Sequence, residues 1–289
     1  MTPTTQTKNV HIALPKGRIQ EGVVALLAEA GIRISSGARG YRPSLSLPGF
    51  EAKLLKPQNI VEMLGVGSRD LGFAGADWVA EKEVDLVELL DTGLDPVRLV
   101  AAAPEGVSLD RNASGLVVAS EYERLARRWM RSREIEGGFV RSYGATEVFP
   151  PEDADVIVDN TASGATLAAN GLRIVDELMT SSTRLYANPR ALENPEKRGR
   201  IESLTLCLRA VIEARSRAMV ELNVSRDELQ QVVDILPAMR EPTLAGLHGD
   251  LGYAVRVAVP RTSLPGLVPE LKARGATDIV VSRCEQIVP

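Results

Sequence analysis

Short apolar runs alternate with amphipathic stretches along most of the chain, a rhythm that predicts an α/β protein. Residues 10–14 read as a strand, and 18–30 as the helix after it. That helix carries Ile19, Val23, Leu26, Leu27 and Ala30 on one stripe and stops at Gly31. Residues 35–50 are rich in Ser, Gly, Pro and Arg and read as a loop or irregular hairpin. A strand follows over 51–55, and a helix over 57–65 turns Ile60, Val61 and Leu64 inward. A short buried strand is predicted over 71–74 and a helix over 78–83. Two separate strands are predicted at 84–90 and 97–103. A second series begins with a strand at 115–119, a helix at 121–132 and a strand at 139–143. In that helix Arg124, Arg127, Arg128 and Arg131 oppose Leu125 and Trp129, so the arginines read as a solvated face. The apolar run Val156-Ile-Val158 has no polar alternation, which fits a strand buried on both faces. A returning strand at 178–188 and a long helix at 193–217 close this part.

The last seventy or so residues have a different rhythm. A strand at 218–224 leads to Ser225-Arg-Asp-Glu228, a capping box heading a helix to 236. Strands at 243–247 and 253–259 flank a turn around His248 and Gly249, and a helix at 265–274 stops at Gly275 before a final strand at 278–281. The order βαββαβ is ferredoxin-like. The expected architecture is therefore a two-lobed α/β core of the periplasmic-binding-protein kind plus this small C-terminal domain. Lobe I takes 1–104 with 182–217, lobe II takes 105–181, and the C-terminal domain takes 218–289.

Composition narrows the class. The 289-residue chain has a net charge of −4, which argues against a general affinity for nucleic acid. No apolar run reaches the ~18 residues of a membrane span, and residues 1–9 look like a polar, frayed tail without a signal core. Cys207 and Cys284 lack metal-ligand or CxxC spacing and read as thiols in a reducing compartment. A cytoplasmic location is expected. His11 and His248 have no triad or metal partners in sequence and read as structural.

Candidate chemistry gathers in two places. In the stretch from Asp155 to Leu172, two carboxylates, Asp155 and Asp159, bracket the buried run. The loop Ser163-Gly164-Ala165-Thr166 and a short helix follow. Backbone N–H groups and a helix N-terminus there suit an anion, Ser163 and Thr166 add hydroxyl donors, and Gly164 permits close approach. Carboxylates beside a phosphate cradle point to a phosphorylated sugar. Near the start, Pro15-Lys16-Gly17-Arg18 sets two cations at a strand-to-helix turn. Farther on, Gly75 and Asp77 follow a strand, where α/β sheets bind ligands, although Asp77 also suits a helix N-cap.

These pieces resemble the ATP phosphoribosyltransferase family in its long form. The resemblance runs from Val10 to Val288 and rests on Leu14-Pro-Lys-Gly-Arg18, Asp70-Leu-Gly-Phe-Ala-Gly75, the stretch from Asp155 to Leu172, and Ile235-Leu-Pro-Ala-Met-Arg-Glu-Pro-Thr243. It implies that N1 of ATP is joined to C1 of 5-phosphoribosyl 1-pyrophosphate, releasing pyrophosphate. By resemblance Ser163, Gly164, Ala165, Thr166 and Leu167 hold the 5-phosphate, with Asp155 and Asp159 near the ribose hydroxyls. Lys16, Gly17, Arg18, Gly75 and Asp77 fall on the ATP side, as does Asp70 by its match to a recurrent family position, a structural role before its strand being the equal alternative. Arg18 and Glu147 are the catalytic candidates. Mg²⁺ is implied, carried by substrate oxygens rather than by dedicated protein ligands. The tail implies feedback inhibition by histidine, with Asn223, Met239 and Thr243 as candidate contacts, and the family implies a homo-oligomer, dimer or hexamer. Between Glu147 and Asp155 this chain is about one residue shorter than the family pattern and carries Pro150-Pro151. Asn160-Thr161-Ala162 replaces the family's usual apolar pair and Ser.

The main alternative is a small-ligand-binding module of the solute-binding type without catalysis. A phosphoribosyltransferase for another base and a catalytically dead relative are further alternatives.

Overall fold

The computed structural model describes residues 9–35, 40–107, 109 and 114–288. Most of the expected frayed tail and part of the 35–50 loop lie outside these residues. The chain forms two compact units, one running to residue 28 and over 32–203, the other over 29–31 and from 204 onward. Their boundary falls inside the long helix rather than after it.

The first unit contains β1 (Val10–Pro15), α1 (Gln20–Glu29), β2 (Ile34–Ser35), β3 (Ser44–Leu45), β4 (Phe50–Leu55), α2 (Pro57–Gly65), β5 (Leu71–Gly75) and α3 (Ala76–Lys82). It continues through β6 (Val87–Pro104), β7 (Ser114–Ser120), α4 (Glu123–Ser132), β8 (Glu136–Arg141), β9 (Val156–Thr161), α5 (Ala165–Ala169), β10 (Leu172–Ala187), α6 (Pro189–Glu193) and the first turns of α7 (Pro195–Ser216). Eight strands form one sheet in the order β4-β1-β5-β10-β6-β9-β7-β8. Strands β4, β1 and β5 are mutually parallel, as are β9, β7 and β8. The long strands β6 and β10 lie between these ribbons, antiparallel to each other and to their outer neighbours. This is the expected two-lobed α/β arrangement, with β6 and β10 as the crossings.

The sequence divides β6 into two strands because Asp91-Thr-Gly-Leu-Asp-Pro96 is polar and turn-like. The structure keeps one 18-residue strand. Gly93 and Asp95 take φ of 64° and 51°, which bends the strand, while pairing with β10 resumes on either side. The crossing therefore comes earlier than residue 104, since Arg98–Ala102 already pair with β9 of the second ribbon. Strand β9 reads as expected, with Val156, Ile157 and Val158 all fully buried.

Helix α4 starts at Glu123, two residues later than its sequence suggests, and Tyr122 gives it no side-chain cap. The buried carboxylate of Glu81, on α3, accepts hydrogen bonds from the Arg124 and Leu125 amides at 3.1 and 3.0 Å. A negative group at a helix N-terminus satisfies orphan N–H donors and the dipole together. The arginine face is solvated as expected, Arg127 pairing with Glu123 and Arg128 with Glu83.

The second unit holds the rest of α7, then β11 (Arg217–Val224), α8 (Leu229–Val233), β12 (Thr243–Gly246), β13 (Tyr253–Pro260), α9 (Leu264–Ala273) and β14 (Thr277–Ser282). Its antiparallel sheet has the order β12-β13-β11-β14, the ferredoxin-like arrangement. Alternation along β11 buries Ala218, Val220, Leu222 and Val224 against Val255, Val257 and Val259 of β13. The Ser225 hydroxyl accepts from the Glu228 amide at 3.3 Å, but the helix begins only at Leu229 and runs five residues. Pro237 forbids its extension. Cys207 and Cys284 are free.

Asp70 anchors the first ribbon from below. Its carboxylate, on a residue 7 % exposed, accepts the His11 amide at 2.8 Å and Lys197 Nζ at 2.7 and 2.8 Å. Breaking a buried pair from one side strands a charge. Lys197→Met is expected to lower unfolding free energy by about 3 kcal/mol, and adding Asp70→Asn to recover much of that loss. Urea denaturation of both variants checks this, and a loss in the single variant below about 1 kcal/mol would mark the pair as effectively solvated.

Candidate active site

The register of the crossing strands fixes where ligands can meet the sheet. Gly75, at the carboxyl end of β5, pairs with Thr183, and Thr183 in turn faces Leu94. Thr161, at the carboxyl end of β9, pairs with Arg98, whose other neighbour is Thr180. The two ribbons run in opposite directions, so their carboxyl ends converge on the same stretch of β6 and β10. Open α/β sheets bind ligands at such ends.

On the first ribbon, Gly17 turns the chain out of β1 with φ of 86°, a left-handed geometry that suits glycine. Lys16 Nζ lies 3.5 Å from the centroid of the Tyr41 ring. Arg18 is more than half exposed and pairs with Asp95 at 3.1 Å. Lys16, Arg18, Gly75, Asp77, Asn160 and Thr183 line one cavity of about 200 Å³.

Asp77 does not cap its own helix. Gly75 is the N-cap of α3, without a side-chain hydrogen bond. The Asp77 carboxylate, on a residue 5 % exposed, accepts from Ser181 Oγ at 2.8 Å and from Tyr122 Oη at 2.6 Å. The Asp77 amide donates to the same Ser181 Oγ at 3.1 Å, and Asn160 Nδ2 donates to Tyr122 Oη at 2.8 Å. The Tyr122 ring stacks on Trp78 with centroids 4.5 Å apart. Burial and the facing Asp77 carboxylate push the Tyr122 hydroxyl well above its usual pKa, so it stays a donor. Gly75 is explained by the same contact, because a Cβ there would lie 2.1 Å from Asp77 Oδ1.

On the second ribbon, Gly164 caps α5 with φ of 82°. The Gly164 amide donates to Thr161 Oγ1 at 2.9 Å and the Ala165 amide to Ser163 Oγ at 3.3 Å. These hydroxyls hold N–H groups that an anion could take over. Thr166 and Ser163 are exposed and Leu167 is buried, so the loop is anchored through Leu167 and open at its polar face. Asp159, just before the loop, is half-buried. Burial, with Glu147 and Glu121 nearby, raises its carboxyl to about 6, while the Asn160 amide at 2.7 Å holds it partly down.

Two expected site residues lie elsewhere. Asp155 stands at the opposite end of β9, roughly 20 Å of strand from the loop at ~3.3 Å per residue. Its carboxylate accepts the Val117 amide at 2.7 Å, closing the β7–β9 ladder. Asp70 likewise lies at the start of β5, held by Lys197. Both are acceptors for strand-end amides and do not reach the cleft.

In the second unit, Met239 and Thr243 share a cavity of about 440 Å³ with Arg240, Glu241 and Arg256. Asn223 does not join them. It lies four residues along β11 from Met219 of that cavity, and its side chain donates to Asp278 at 3.0 Å.

Sequence reasoning missed Tyr122, Asn160, Ser181, Thr183 and Asp95. Only the departure of Asn160-Thr161-Ala162 from the family pattern hinted at one of them. Ser181, Thr183 and Asp95 lie inside the long crossing strands and Tyr122 just past β7, and only the crossing register reveals their proximity.

Comparisons with known proteins agree with this arrangement. The family model for ATP phosphoribosyltransferase (HisG) matches residues 56–210, and that for the HisG C-terminal domain matches 214–286. The ATP phosphoribosyltransferase of Chlorobium luteolum is 35 % identical over 283 residues, covering 96 % of each chain. That of Pelotomaculum thermopropionicum is 33 % identical over 287 residues, covering 97 % of this chain and 99 % of its own. A solved chain of the ATP phosphoribosyl transferase (HisG:HisZ) complex from Thermotoga maritima superposes with a TM-score of 0.64 at 27 % identity, covering 71 % of this chain and 98 % of its own. With both family models matched in order and these relatives aligned along nearly the full length, the chain belongs to the ATP phosphoribosyltransferase family.

Proposed function

We propose that this chain catalyses its family's reaction in the cleft between the two ribbons. N1 of ATP attacks C1 of 5-phosphoribosyl 1-pyrophosphate, the C1–O bond breaks, and its electron pair leaves with pyrophosphate. This is the first step of histidine biosynthesis. The observation that carries the reading is the convergence of the Lys16–Arg18 turn and the 163–167 loop on one stretch of β6 and β10 from opposite sides.

In this reading the loop holds the 5-phosphate through the Gly164, Ala165 and Thr166 backbone and the Ser163 and Thr166 hydroxyls. Asp159 accepts from the ribose hydroxyls. Lys16 and Arg18 offset charge that builds on the departing diphosphate, and Gly75 and Asp77 shape the ATP side. C1 gains oxocarbenium character as the bond breaks, so positioning and charge stabilisation supply most of the rate. N1 attacks with a lone pair and needs no base beforehand. Glu147, whose charge acts on Asp159, would stabilise the cationic sugar.

No three His, Cys, Asp or Glu side chains form a metal cage among the described residues. Mg²⁺ would be held mainly by diphosphate oxygens, where it would neutralise leaving-group charge. Met239 and Thr243, with Arg240 and Glu241, form the candidate site for inhibitory histidine, the acidic and basic groups suiting its amino and carboxyl ends. The family reading further supports a homo-oligomer, dimer or hexamer, working in the cytoplasm. Among the described residues no helix is long and apolar enough to cross a membrane.

An absorbance assay with ATP, 5-phosphoribosyl 1-pyrophosphate and Mg²⁺ should show phosphoribosyl-ATP. Folded protein that binds either substrate yet forms no product would favour the binding-module alternative. In the same assay Thr166→Ala should weaken phosphoribosyl pyrophosphate binding by about 1.5–3 kcal/mol, and an unchanged apparent affinity would remove the loop from the phosphate site.

Asp159 generates a pH prediction. Its folded pKa of about 6 lies above the ordinary 3.8, so its protonated form favours the fold. That contribution is full below about 4 and is lost as pH rises through about 6, a difference on the order of 2–3 kcal/mol. Asp159→Asn should therefore be more stable than the parent at pH 8 and lose most of that advantage only by about pH 4. Equal urea midpoints at both pH values would show that the carboxylate is not perturbed.

Thr243→Ala and Met239→Ala should raise the histidine concentration needed for half-inhibition by about tenfold without changing KM for either substrate. Asn223→Ala should leave inhibition unchanged. Inhibition that responds to Asn223 alone would move the sensor away from this cavity.

A further inference from the structure

Thr183 stands where the two ribbons meet. Its backbone pairs with Gly75 on one side and Leu94 on the other, and its carbonyl accepts from Thr92 Oγ1 at 2.5 Å. The residue is 1 % exposed and lines the same cavity as Lys16, Arg18 and Asp77. Among the described residues, its hydroxyl is the buried side-chain polar atom with no hydrogen-bond partner.

The hydroxyls beside it on β10 are already committed. Ser181 Oγ donates to Asp77 Oδ1 at 2.8 Å and accepts the Asp77 amide at 3.1 Å. Ser182 Oγ donates to Asp91 Oδ1 at 2.7 Å. Thr183 therefore has no protein acceptor to serve. A buried hydroxyl left unpaired is a standing cost to the fold, and valine would fill nearly the same outline without it. A polar group kept unpaired on a cleft wall is explained if its partner arrives with the ligand.

The ligand class follows from the neighbours. Lys16 and Arg18 are cations on the same cavity, and Arg18, itself more than half exposed, meets Asp95 in a pair for which an incoming anion can compete. Each oxygen of the Asp77 carboxylate already accepts a hydrogen bond, from Ser181 and from Tyr122. We propose that the Thr183 hydroxyl is a substrate-binding group of this cleft that donates to a phosphate oxygen seated beside Lys16 and Arg18. The phosphate belongs either to the nucleotide or to the diphosphate of the sugar. The assignment rests on the phosphoribosyl-transfer reading of the cleft.

Thr183→Val and Thr183→Ser separate the hydroxyl from the packing. Initial rates with ATP and phosphoribosyl pyrophosphate varied in turn should show one KM raised roughly tenfold or more in the valine variant and within about twofold of the parent in the serine variant. A raised KM for ATP identifies the nucleotide phosphates. A raised KM for phosphoribosyl pyrophosphate, with weaker inhibition by inorganic pyrophosphate, identifies the diphosphate. The ligand-free valine variant should melt no lower than the parent. Both KM values unmoved in folded Thr183→Val would overturn the proposal, as would equal impairment of both variants with lowered melting. Equilibrium binding of ATP and of pyrophosphate to parent and valine variant reads the hydroxyl even if the parent forms no product. Weaker binding to the variant supports the proposal, and equal binding refutes it.

Discussion

The buried carboxylate of Asp77 sets the geometry on which the cleft depends. A carboxylate buried out of water needs hydrogen-bond donors, and here two separate segments supply them while a third supports one of the donors. Ser181 lies on the returning crossing, Tyr122 precedes the first helix of the second ribbon, and Asn160 reaches the network through the Tyr122 hydroxyl. The carboxylate fills the space where a Cβ of Gly75 would sit, so that position must be glycine. One side chain thus ties α3 to both the crossing and the second ribbon. Glu81, one turn farther along the same helix, repeats the device by capping α4. Helix α3 is short, yet its two buried carboxylates hold the halves in register.

That register is what turns two βα series into one site. Each ribbon alone presents a strand end, a glycine turn and a helix, which is a generic anion site. The pairing of Gly75 with Thr183, and of Thr161 with Arg98, sets those ends against one another a few residues apart along β6 and β10. A bend at Gly93 and Asp95 lets a single strand serve both ribbons, and Asp95 is the residue that Arg18 meets. The irregular stretch of β6 is therefore both a bend in the sheet and part of the cleft wall.

Most of the fold was legible in the chain because its signals are local. The period-two alternation of β11 and the unbroken apolar run of β9 announce a half-buried and a fully buried strand, and Gly31 and Gly275 end their helices. The errors share a cause. Asp91 to Pro96 looked like a loop because polar and turn-forming residues usually leave a sheet, but the neighbouring long strand satisfies the backbone there. Asp155 and Asp70 looked like site residues because carboxylates beside motifs attract that reading. Their amide partners, Val117 and His11, are 38 and 59 residues away, and no local pattern reports them. Asn223 was grouped with Met239 and Thr243, although the register of β11 sets it at the other end of the strand.

The carboxylates and hydroxyls of the first unit then divide by how completely they are satisfied. Asp70, Glu81 and Asp155 meet amides or a lysine at hydrogen-bonding distance, and each lies at a strand or helix end away from the cleft. Asp159 sits among like charges with its carboxyl raised to about 6, and the Thr183 hydroxyl is buried without a partner. Both lie at the convergence of the two ribbons. A chain selected only for stability would replace an aspartate crowded by glutamates and a threonine with nothing to bond. Retaining both where a polyanionic sugar and its metal would come to rest is the pattern expected when unmet hydrogen bonds and charges are completed by ligand rather than by protein.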